Sequence, residues 1–144
     1  MILPPPPALP PPPKAWDVAP LSEGDWHYRQ DGTQTMAWFG PSDAKIALTI
    51  TCNKASRQIA LSRSGNGGGA TTMIIRTSFG DLNWAATPGA GSFAEMIAVR
   101  PARDIGFDWI AFSRGRISVE APNLPRLIAP AWADISRVIE DCRG

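Results

Sequence analysis

Little in this chain is of the kind that carries chemistry. Among 144 residues there are one histidine, His27, and two cysteines, Cys52 and Cys142. One histidine with two distant cysteines makes no common zinc set, and the cysteine spacing fits no redox motif. No Gly-x-Ser-x-Gly elbow presents a serine, so a Ser-His-Asp arrangement has no visible nucleophile. The glycine-rich run from Gly65 to Gly69 lacks the Lys-Ser/Thr of a phosphate loop and reads as a hairpin loop. No metal site, cofactor or catalytic residue is assigned on these grounds. No apolar run approaches the ~18 residues that cross a bilayer, so no transmembrane segment is expected. The formal charge of +1 argues against a nucleic-acid surface.

What is present is proline, tryptophan and short alternating runs. Pro4 to Pro13 reads PPPPALPPPP, a polyproline II sequence that spans about 30 Å at ~3.1 Å per residue. It reads as a spacer, although its PxxP content also suits a proline-binding domain. The expected organisation is a disordered Pro-rich spacer over 1–20 and a single β-rich domain over 21–144. Most of the six tryptophans should anchor the core or its edge.

Period-two alternation marks the strands. Asp25–Gln30 and Gln34–Phe39 flank an Asp31-Gly32 turn. Lys45–Cys52 puts Ile46, Leu48, Ile50 and Cys52 on one face, and Arg57–Arg63 returns as its hairpin partner. Met73–Ser78 and Leu82–Ala86 follow. Phe93–Val99 fits a strand or two turns of helix; the Gly/Pro breakers around it favour strand. Asp104 can cap a short helix near 104–112 that groups Ile105, Trp109 and Phe112 on one side. Ile117–Ala121 and Arg126–Ala129 are the last strands. A C-terminal amphipathic helix over 131–143 then places Trp132, Ile135, Ile139 and Cys142 on one face. The expected fold is mainly β (α+β): an antiparallel β-sandwich or half-open barrel of about eight strands, closed by the last helix.

Three groups are candidates for a site. Cys52 and Cys142 both fall on apolar faces; they are either two buried thiols or one disulfide, which would stabilise by ~4 kcal/mol. Arg100, Arg103, Arg114 and Arg116 flank the short helix and would form an anion-binding patch if its ends came together. Otherwise they pair with nearby acids such as Asp104, Asp108, Glu120 and Asp141. His27, between Trp26 and Tyr28, faces either solvent or a cleft.

The runs GDWHYR, TITC, IRTS and AFSRGRISVEAP, followed by LIAPAWADISRVIEDCR, resemble an uncharacterised family of small alphaproteobacterial proteins. The resemblance covers the chain from about Trp16 onward. It implies a domain found behind an export or lipoprotein leader and a proline-rich stretch, and it implies compartment rather than chemistry. The strand–loop–strand–helix ending is also similar in layout to the invasion-associated locus B family of periplasmic β-rich proteins. Met1-Ile2-Leu3 and the prolines have none of the features of a leader. The expected location is therefore periplasmic or outer-envelope if a leader precedes this start, with a membrane tether only in that case, and cytoplasmic otherwise. The leading expectation is a non-enzymatic envelope-associated binding domain whose partner is an unknown envelope protein or small ligand. The alternatives are a small hydrolase or ligand-modifying enzyme using His27 or the Arg114/Arg116 corner, and a cytosolic structural protein.

Overall fold

A computed structural model describes residues 3–4 and 15–144. The proline run at 5–14 lies outside the described residues. The end of the expected spacer is not free of the domain. Residues 16–19 form a turn in which the Ala19 N–H donates to the Ala15 carbonyl at 2.9 Å. Ala19 itself is buried, and its carbonyl accepts from Arg116.

Nine strands and two helices follow. The strands are β1 (Asp25–Asp31), β2 (Gln34–Gly40), β3 (Leu48–Asn53), β4 (Gln58–Ser64), β5 (Thr71–Thr77), β6 (Gly80–Pro88), β7 (Glu95–Pro101), β8 (Arg116–Glu120) and β9 (Leu127–Pro130); α1 (Ile105–Ala111) joins β7 to β8, and α2 (Ala133–Arg143) ends the chain. All the strands belong to one antiparallel sheet of order β1-β2-β3-β4-β7-β6-β5-β8-β9. The sheet has two parts. β6 meets β7 through only Thr87↔Ile97 and Pro88↔Met96, and Pro88 has no N–H to extend the ladder. The sheet turns its corner there. The far strands then approach each other: the Trp26 Nε1–H on β1 donates to the Pro130 carbonyl on β9 at 2.7 Å. Ser22, just before β1, bonds Ile128 on β9 through its own N–H (2.8 Å) and through its hydroxyl (3.0 Å). The result is an open, strongly curled sheet with mainly β character, as the alternation predicts.

The inward positions of every strand and one side of each helix form a single core. It includes Phe39, Leu48, Ile50, Ile59, Leu61, Met73, Ile75, Met96, Phe107, Ile117 and Ile135, all fully buried. α2 lies on the β1–β4 half and meets α1. Its Ile135, Val138, Ile139 and Cys142 are buried. Trp132, expected on that face, is instead the N-terminal flanking residue of α2 and is 45% exposed. α1 keeps Ile105, Trp109 and Phe112 on one side, as expected, and turns that side outward. Its core side is Gly106, Phe107 and Ile110, while Ile105 and Phe112 are exposed. The helix is apolar on both sides, so periodicity alone does not choose which side faces inward.

The third strand begins at Leu48, not Lys45. The reason is Gly40: the chain folds back over it so closely that a Cβ there would lie 2.3 Å from the Lys45 carbonyl oxygen. Ser42 and Lys45 make an isolated bridge in this loop. Ile46 thereby leaves the core face on which the alternation placed it.

Candidate functional site

The two cysteines meet. Cys52 and Cys142 form a disulfide with their Cα atoms 5.6 Å apart, across 90 residues of sequence. The bond ties the end of α2 to the β3–β4 hairpin, where Cys52 pairs with Ile59 in register.

The four arginines of the proposed patch do not share a site. Arg100 donates to Asp104 at 2.5 and 2.8 Å and lies over the Trp84 ring. Arg103 reaches the Arg143 carbonyl at 3.4 Å. Arg116 holds the Ala19 carbonyl. Arg114 is exposed, and its backbone N–H donates to the Ser78 hydroxyl at 2.8 Å. The first two precede α1 and the last two follow it. About 10 Å of helix rise separates them, and the partners at each end are different. Arg143, not singled out in the sequence, is the organising cation. It grips both Asp108 carboxylate oxygens at 2.7 and 3.2 Å and donates to the Ala102 carbonyl at 2.7 Å, locking α2 to α1.

His27 lies on the outer face of β1 and stacks on its register partner Trp38 with ring centroids 4.1 Å apart. No carboxylate bonds it among the described residues.

The site that sequence reasoning missed is the outer face of β2, β3, β4 and β7. Cross-strand register arranges it in rows. One row runs Trp38, Thr49, Ser62, Ile97; the next runs Met36, Thr51, Ala60, Val99. Small side chains on β3 and β4 make a low floor, and larger ones on β2 and β7 stand on either side. The displaced 42–46 loop and Phe93 close one end. Together they bound a trough of about 520 Å³ lined by Met36, Asp43, Ile46, Thr49, Thr51, Ser62, Phe93, Glu95 and Ile97 among others. A smaller hollow of about 220 Å³ continues past Thr51 and Ala60 to Gln34, Asn53 and Gln58. Phe93 is 52% exposed at the rim. Glu95 is held in place by the Ser62 hydroxyl, which donates to it at 2.6 Å. The available signal was the apolar residue on the solvent side of each wall strand, Met36 and Ile97. The floor carries only Thr, Ser and Ala, which read as ordinary strand surface.

No helix among the described residues is long and apolar enough to cross a membrane. No protein-family model, curated protein or solved structure matches this chain.

Proposed function

We propose that this is a non-enzymatic binding domain of the cell envelope, cross-linked by Cys52–Cys142, and that the trough holds its ligand. The trough is the observation that carries the reading. The outer face of an antiparallel sheet normally bears polar side chains toward water. Here Met36, Ile46, Phe93 and Ile97 line a hollow on that face. Open apolar surface of this kind is typical of places where something binds. A disulfide supports an oxidising compartment, because cytosolic thiols are kept reduced. The Pro4–Pro13 run would then act as the spacer between the domain and its point of attachment.

Two measurements test the two halves of the reading. Nile red, a neutral apolar probe, should brighten on binding the full chain, and Ile97→Asp should abolish most of that response. An unchanged response in the variant removes the trough as the site. Protein taken from its native cells and alkylated without reduction should carry no label on Cys52 or Cys142. Labelling of both would place it in a reducing compartment.

A further inference from the structure

This inference rests on the trough being the ligand site and names what the trough takes. We infer that it receives one extended peptide segment with apolar side chains and a basic residue at the end beside Asp43 and Glu95.

Width sets the shape. Met36 on β2 and Ile97 on β7 stand three strand spacings apart, or about 14 Å between backbones at ~4.8 Å each. A single extended chain fits within that width, along the low floor of Thr49, Thr51, Ala60 and Ser62.

Polarity sets the class. Met36, Ile46, Phe93 and Ile97 give the ligand apolar walls and a rim. A sugar chain carries hydroxyls along every edge, more than the Thr49 and Thr51 hydroxyls of the floor can partner between those apolar walls. An extended peptide presents apolar side chains sideways to the walls. Its backbone polar groups meet the Thr49 and Thr51 hydroxyls below and water above.

Charge sets the direction. Two carboxylates, Asp43 and Glu95, line the trough, and no basic side chain does. Glu95 is already oriented by Ser62, so a cation there meets an acceptor that needs little ordering.

The test is calorimetric titration of the full chain with three probes. They are the capped pentapeptide acetyl-Lys-Leu-Val-Leu-Val-amide, the same peptide with Glu for Lys, and a linear tetrasaccharide of N-acetylglucosamine. The Lys peptide should bind, the Glu peptide about tenfold more weakly, and the saccharide not at all. Asp43→Asn and Glu95→Gln should each weaken the Lys peptide about three- to fivefold and flatten its salt dependence, with thermal melts confirming the fold. Equal binding of both peptides overturns the charge assignment, and saccharide binding in their place overturns the peptide class. Self-association of the chain that Phe93→Ala abolishes would make a second copy the occupant and overturn the peptide partner. Absence of binding by all three probes overturns the inference. A normal Nile red response in that last case would show that the trough itself still binds.

Discussion

At the scale of single residues, two buried polar groups define how finely the interior is adjusted. Thr35 is fully buried on β2, and its hydroxyl is without a hydrogen-bond partner among the described residues. Thr35→Val keeps the shape and removes the unmet hydroxyl. It should therefore raise stability by about 1 kcal/mol, or roughly 2–4 °C in Tm. A lower Tm would mean that the hydroxyl is bonded after all. Arg63 is the opposite case, a cation only 5% exposed that uses every contact shown for it on backbone carbonyls. It donates to Val119 at 3.0 Å, Pro125 at 2.9 Å and Ser64 at 3.2 Å. Burial pushes its pKa below the usual arginine value. Removing the charge relieves that desolvation, but it leaves the Val119 and Pro125 carbonyls short of donors. The second effect should win: Arg63→Met should lose about 2 kcal/mol in urea unfolding. A neutral result would mean that the desolvation penalty cancels the bonds. Alternation places Arg63 on the same face as Ile59 and Leu61, so its inward position was legible. Its distant partners were not, because Val119 on β8 and Pro125 in the β8–β9 turn lie 56 and 62 residues away in sequence.

At the scale of elements, α1 shows local and tertiary signals in competition. Its start is local: the Asp104 carboxylate accepts from the Gly106 N–H at 2.8 Å, the cap that the sequence indicates. Its packing is not local. Gly106 sits against Trp84, where a Cβ would lie 2.6 Å from the indole Cζ2. That indole is pinned by Phe107 on one side and by Arg100 over its face. Gly106→Ala would gain about 1 kcal/mol of helix propensity and would force the indole to move, at about 1–3 kcal/mol. The expected outcome is a net loss of about 1 kcal/mol by chemical denaturation. A net gain would show that the Trp84 pocket yields easily. The outward side of α1 carries Ile105, Trp109 and Phe112, and Trp109 stacks with Phe79 from the β5–β6 turn at 6.4 Å. Sequence periodicity grouped Ile105, Trp109 and Phe112 on one apolar side of this helix; Gly106, Phe107 and Ile110 make the other. Only the packing of Trp84 against Gly106 decided which one faces the core.

At the scale of the whole molecule, stability depends on contacts that close long stretches of chain. The disulfide closes a loop of 90 residues, so reducing it should lower the unfolding free energy by roughly 4 kcal/mol. Denaturant melts with and without reductant measure this directly; coincident curves would mean that the cross-link is not formed in solution. The curled sheet has its own closure at Trp26, whose indole N–H reaches the Pro130 carbonyl. Trp26→Phe keeps most of the apolar bulk and deletes the donor. It should lose about 1–2 kcal/mol, with faster hydrogen exchange concentrated at the β1 and β9 edges.

The sequence alone determined the elements, because side-chain alternation and turn chemistry are local properties of the chain. The strands at 25–30, 34–39, 57–63 and 117–121, the capped short helix and the closing amphipathic helix all follow from it. It left the cysteines open between two thiols and one bond. Tertiary structure decided the rest. The strand order, which runs β4-β7-β6-β5 rather than in sequence, brought Met36 and Ile97 to opposite sides of one floor. The tight approach over Gly40 carried Ile46 out of the core and onto the rim of the same trough. Those arrangements depend on which distant segments meet. A pattern of period two marks the face of a residue within its strand, but it carries no information on which strand will lie beside it.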